Sequence, residues 1–202
     1  MKYSDIDKRK NVFIFELDNV LYPEKDYLFQ VYYLFAGLLE YTELIDAKQT
    51  TELMVNTYIS CSKDVVFDQL KQQLNIEEKH RGNLENLLKT AKLPLKLLLY
   101  QNMLSLLQDI VVDRKKIFLV TNGNPVQQLN KIKQTEWHGL EQYLIAYFAD
   151  EIAPKPEPDC INELLDKHKL QRRDVIMIGA SEIDGLCAES CGIDYINAGD
   201  FL

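Results

Sequence analysis

The chain has 202 residues, a formal net charge of −8 and ordinary apolar content, 47%. This is enough for one substantial core, or for a core with a small inserted subdomain. No segment approaches the roughly 18 consecutive apolar residues of a membrane span, and the acidic balance argues against nucleic acid as the main partner. The N-terminal stretch Met1–Asp7 mixes charges of both signs and does not read as a signal peptide. A cytoplasmic protein without membrane attachment is therefore expected. Cys61, Cys160, Cys187 and Cys191 form no Cys-x-x-Cys pair, which suits a reducing compartment. Cys187 and Cys191, one helical turn apart, read as the buried face of a helix. His80, His138 and His168 fit no ligand spacing and read as surface or packing residues.

In chain order, the first predicted strand is Asn11–Leu17. Its apolar run breaks at two carboxylates, Glu16 and Asp18, followed by Asn19. Strands follow at Lys116–Thr121, Ile145–Ala149, Val175–Gly179 and Asp194–Asn197. Helices are predicted at Pro125–Lys133, with Pro at the first helical position, at Pro158–His168, and at Asp184–Cys191, with Asp184 suited to an N-cap and Gly192 to a stop. Strands alternating with helices imply an α/β, doubly wound parallel sheet. Almost a hundred residues separate the first two strands, more than a crossover needs. They read as helix: Tyr27–Asp46, Ala47–Cys61, Ser62–Leu74, Ile76–Ala91 and Pro94–Val112. We expect an all-helical subdomain over residues 23–92, inserted into a Rossmann-like core of residues 1–22 and 93–202. Tyr22, Tyr27, Tyr32, Tyr33 and Tyr41 read as core aromatics at helical spacing, with a pocket lining as the alternative.

Four stations fall at or just beyond predicted strand ends: Glu16 with Asp18, Thr121 with Asn122, Lys155, and the loop Gly179–Asp184. Ligands of open parallel sheets bind at that edge. Such a set could support phosphoryl transfer. One carboxylate attacks phosphorus, a second handles the leaving-group proton, a hydroxyl and an ammonium bind phosphate oxygens, and acidic residues hold Mg²⁺.

In this order the stations resemble the four signature motifs of the haloacid dehalogenase superfamily, most of whose members are Mg²⁺-dependent phosphatases. The resemblance rests on Glu16-Leu17-Asp18-Asn19-Val20-Leu21-Tyr22-Pro23, Leu119-Val120-Thr121-Asn122-Gly123-Asn124, Ala153–Asp159, and Ile178-Gly179-Ala180-Ser181 with Asp184. The insertion lies where the family carries a helical cap. The resemblance implies Glu16 as nucleophile, Asp18 as acid/base, and Thr121 and Lys155 as phosphate binders. It also implies Asn122 and Gly123 on the substrate side, Mg²⁺ held by Glu16, Asp18, Asp184 and Glu182, and a small phosphorylated molecule as substrate.

Two positions depart from the family pattern, which has Asp at both 16 and 180; this chain has Glu and Ala. A displacement of about 1 Å in a reacting group can cost on the order of a hundredfold in rate. Losing a carboxylate from the few that hold Mg²⁺ weakens its binding. Three readings follow: a phosphatase of weak or lost activity, with Glu182 or Asp184 compensating for Ala180; a catalytically silent protein binding a ligand or partner through the cleft; or a receiver-like domain, which would lack the helical insertion.

Overall fold

β1 (Val12–Phe15) lies in the middle of a five-stranded sheet, and its four apolar residues are all buried. A computed structural model describes every residue from Met1 to Leu202. The remaining strands are β2 (Leu97–Leu98), β3 (Lys116–Thr121), β4 (Thr135–Glu136), β5 (Leu144–Phe148), β6 (Val175–Gly179) and β7 (Asp194–Asn197). The main sheet has the order β5-β3-β1-β6-β7, and every pairing in it is parallel. Parallel strands covered on both faces read as continuous apolar runs, which is the pattern of Val-Phe-Ile-Phe and Ile-Phe-Leu-Val.

The helices are α1 (Glu24–Glu43), α2 (Ala47–Ser60), α3 (Val66–Leu74), α4 (Arg81–Thr90), α5 (Gln101–Val112), α6 (Pro125–Gln134), α7 (Asp159–Lys167) and α8 (Glu182–Cys191). The architecture is the expected α/β, doubly wound core with a Rossmann-like parallel sheet. One core layer joins Val12, Ile14, Phe118, Val120, Val175 and Met177 of the sheet to Cys160, Ile161, Leu164 and Leu165 of α7. Cys187, Ala188 and Cys191 of α8 complete it. Cys160, Cys187 and Cys191 are thus packing residues, and burial raises the Cys160 thiol to about 11.

The chain divides into two units, Met1–Glu24 with Leu97–Leu202, and Lys25–Lys96. The second is helical throughout. Within it the Tyr27 hydroxyl donates to the Leu88 carbonyl at 2.5 Å, and Phe35 meets Phe67. His80 is buried: its Nε2 lies 2.7 Å from Glu43 Oε1, and its Nδ1 3.2 Å from the Asn83 amide. Tyr22, Tyr27 and Tyr32 are buried, whereas Tyr33 and Tyr41 are exposed.

Several boundaries differ from the sequence reading. The helix expected from Ser62 starts at Val66, because Ser62 caps a 3-10 turn at Lys63–Val65. The helix expected from Ile76 starts at Arg81, behind another 3-10 turn at Glu78–His80. The helix expected from Pro94 begins only at Gln101, because Leu97–Leu98 are taken up as β2 in extended pairing with β4. Asp184 is not an N-cap: Ser181 caps α8, and Asp184 is the third helical residue of a capping box. β2 pairs in parallel with β4, and two residues are too few to leave a periodic signal.

Candidate active site

The strand order brings the stations together. β1 is flanked by β3 and β6, so Glu16, Thr121 and Gly179 emerge side by side at the carboxyl edge of the sheet. The Glu16 N–H continues the ladder to the Ile178 carbonyl at 3.1 Å. Lys155 arrives from the segment after β5, and its peptide bond to Pro156 is cis. Asn122 fixes that segment: its amide donates to the Lys155 carbonyl and its oxygen accepts from the Lys155 N–H, both at 2.9 Å.

Lys155 is the hub. Its ammonium donates to Glu16 Oε2, to Asp184 Oδ1 at 2.5 Å and to the Val120 carbonyl at 3.1 Å. An ammonium has three N–H donors, so all are in use. Its side chain is 1% exposed. Glu16 is equally engaged. Oε1 folds back to accept the Leu17 N–H at 2.7 Å and also takes the Thr121 hydroxyl.

Asp184 Oδ2 accepts from the Ala180 N–H and Ser181 N–H at 3.1 Å each, and from the Ser181 hydroxyl at 2.7 Å. Its close approach requires glycine at 179, since a Cβ there would lie 2.4 Å from the Asp184 Cβ. Ala180 contributes only its backbone N–H to this corner. Glu182 is exposed in the first turn of α8 and forms no ion pair.

Asp18 belongs to a second network. Its Oδ2 meets the Lys131 ammonium at 2.5 Å and the Gln128 amide at 3.2 Å, and its Oδ1 accepts from the Tyr22 hydroxyl at 2.9 Å. The same Gln128 amide also donates to Thr121 Oγ1 at 2.9 Å and the Asn122 carbonyl at 2.6 Å. Gln128 Oε1 is buried without a partner. The Gly123 N–H donates to Asp150 at 2.8 Å, and Gly123 has φ +103°, which only glycine adopts freely.

Lys131 and Gln128 were not visible as site residues in the sequence. Both are buried on α6, which instead exposes Val126 and Leu129. Two polar residues three apart on a helix read as a solvated face, and the sequence carries no signal against that reading.

The electrostatics follow from one ammonium set between two carboxylates. For Lys155 burial favours the neutral form, but Glu16 and Asp184 outweigh it and hold the amine charged. For Asp184 burial is the largest single influence and raises its pKa. Lys155, with the hydrogen bonds from Ser181, outweighs burial and keeps the group below its ordinary value. Glu16 goes the other way: burial exceeds the help of Lys155, Thr121 and Leu17, and its pKa is raised. Of the two carboxylates on Lys155, Glu16 thus holds its proton more tightly than an ordinary glutamate, and Asp184 less tightly than an ordinary aspartate. At Asp18 burial again raises, while Lys131, Gln128 and Tyr22 together lower, and the carboxylate stays ionised.

These side chains do not fit a magnesium ion as arranged. No group of three or more His, Cys, Asp or Glu is placed to hold a metal, position 180 offers no carboxylate, and an ammonium already bridges Glu16 and Asp184. Mg²⁺ prefers an octahedron of oxygens.

A family described as haloacid dehalogenase-like hydrolase matches residues 13–198. Solved structures are similar across most of the chain. The HAD-hydrolase YfnB from Bacillus subtilis, bound to magnesium, aligns at TM-score 0.61 and 15% identity, covering 93% of this chain and 86% of that one. A HAD family hydrolase from Deinococcus radiodurans R1, with bound phosphate and sodium, aligns at 0.60 and 16%, covering 95% and 81%. A dehalogenase with an intermediate complex aligns at 0.60 and 13%, covering 95% and 86%. At these identities the likeness is one of fold. Among curated proteins none matches by sequence. No helix is long and apolar enough to cross a membrane.

Proposed function

The chain belongs to the haloacid dehalogenase-like hydrolases, and from that membership we propose that it keeps the family scaffold without metal-dependent turnover, acting as a binding protein. One observation carries the reading. All three N–H donors of Lys155 are held by Glu16, Asp184 and the Val120 carbonyl, so the cation that would receive a phosphate oxygen is already satisfied inside the protein. Three further features point the same way. Position 180 carries alanine; both oxygens of Glu16 are occupied; and Asp18 is held ionised, the wrong state for protonating a leaving group.

A second reading is a slow Mg²⁺-dependent phosphatase of a small phosphorylated metabolite. It is favoured by the contacts of Thr121 and Lys155 with Glu16, with Asp184 joined to them through Lys155 and Asp18 through Gln128. It also draws on the neighbour bound to magnesium. In this reading Lys155 must leave Glu16 for the substrate.

The two are separated by magnesium calorimetry and a phosphomonoester panel. The silent reading expects no Mg²⁺ binding and no turnover above Lys155→Ala in the parent protein, with Mg²⁺ affinity gained in the double variant Glu16→Asp, Ala180→Asp. Magnesium-dependent turnover by the parent that Lys155→Ala abolishes would overturn it.

A further inference from the structure

We propose that the amino edge of the sheet, opposite the candidate active site, is a docking surface for an acidic polypeptide segment. Three loops build it, those entering the adjacent strands β1, β3 and β6 (residues 7–11, 113–116 and 169–174). They hold nine of the chain's Lys and Arg residues against three Asp, a net +6 in a protein whose total is −8. The rest of the molecule is correspondingly more acidic, so the charge is segregated.

The surface is built on a rigid support. The Asn11 N–H donates to the Asp174 carbonyl at 2.9 Å, and the Lys116 N–H to the Asn11 carbonyl at 3.0 Å, so backbone bonds join all three loops. Lys10 is buried beneath them, donating to the Arg173 carbonyl at 2.7 Å and pairing with Asp194 at 2.7 Å. Lys115 is held over the Tyr3 ring at 5.3 Å, and the Tyr3 hydroxyl donates to Asp113 at 2.6 Å.

Four exposed cations above this support, Lys8, Arg114, Lys116 and Lys169, have no ion-pair partner. Arg114 and Lys169 follow the C-termini of α5 and α7, where the helix dipole tolerates an unpaired cation. Lys8 and Lys116 follow no helix, so the dipole does not account for them. The loops enclose adjoining hollows rather than a plane. One of about 360 Å³ is lined by Arg114, Lys116 and Lys169 and shares Asn11 and Asp174 with a second of about 520 Å³. It shares Asp113 and Lys115 with a third of about 310 Å³ that Lys8 lines.

The mixture selects the partner. Asp7, Asp113 and Asp174 interleave with the cations and would repel a continuous phosphate backbone, as would the net charge of the whole chain. A peptide brings carboxylates for the cations and backbone N–H donors for the aspartates. Adjoining concave hollows suit an extended segment better than a flat lipid surface does.

The test is fluorescence anisotropy with a labelled oligo-glutamate peptide on the full chain. The triple variant Arg114→Glu, Lys116→Glu, Lys169→Glu should weaken binding roughly tenfold or more. The control Lys25→Glu, Lys92→Glu, Lys96→Glu reverses as many exposed charges elsewhere and should leave it unchanged, with folding of both checked by circular dichroism. Absence of peptide binding, equal loss in both variants, or tighter binding of oligodeoxythymidylate or phosphatidylserine vesicles would overturn the proposal.

Discussion

The two edges of the parallel sheet handle charge in opposite ways. At the carboxyl edge, Glu16, Asp18, Asp184, Lys131 and Lys155 are neutralised within the protein, and nearly every polar atom has a partner. At the amino edge, cations outnumber carboxylates and several stand unpaired in solvent. A charge that must act on something outside the molecule has to be left available. By that standard the edge where this fold conventionally works is inward-looking, and the opposite edge is the available one.

The carboxyl edge depends most on Lys155. Lys155→Met leaves Glu16 and Asp184 facing each other without their cation, and removal of one partner from a buried pair costs about 3–5 kcal/mol. Urea denaturation should show that loss, and added Mg²⁺ should recover part of it in the variant while leaving the parent unmoved. Lys131→Met should cost less, about 2 kcal/mol, because Asp18 keeps Tyr22 and Gln128 and is partly exposed; the same denaturation curves measure it.

Glu16→Gln sharpens the contrast through pH. The folded pKa of Glu16 lies above its unfolded value. Its stabilising contribution is therefore complete below the unfolded value, about 4.3, and is lost as pH rises through the folded value. The glutamine variant escapes that loss, so its melting temperature relative to the parent should climb with pH, by about 2–4 °C for each 1 kcal/mol. Asp18 and Asp184 have lowered values; their contribution is present above the unfolded value near 3.9 and fades as acid takes the pH below it. The smallest effect belongs to the other edge: Arg114→Glu with Lys116→Glu and Lys169→Glu should change stability by only about 0.5 kcal/mol per site or less, measured by thermal melts.

The strand ends are legible in sequence because each short apolar run stops at a residue of another kind: Phe15 before the carboxylate of Glu16, Val120 before the hydroxyl of Thr121, Ile178 before Gly179. Parallel topology then places such ends side by side. What could not be read was which carboxylate each lysine would serve. Lys131 lies 113 residues from Asp18, and nothing in Pro-Val-Gln-Gln-Leu-Asn-Lys marks its helix as turning polar residues inward. The fold-back of Glu16 onto the Leu17 N–H was equally hidden, since it depends on a rotamer rather than on residue type.

One contact near the first strand bears on how the chain assembles. The Tyr100 N–H donates to the Leu21 carbonyl at 2.8 Å, so the chain leaving for the helical unit and the chain returning from it are fastened together within the core. The helical unit is thus a long excursion whose two ends meet. Replacing it with a turn of roughly five residues shortens the loop by about four doublings, and each doubling carries about 0.6 kcal/mol of closure entropy. The core without its insertion should then form as an excised, faster-folding miniature in which the charge cluster can be studied alone.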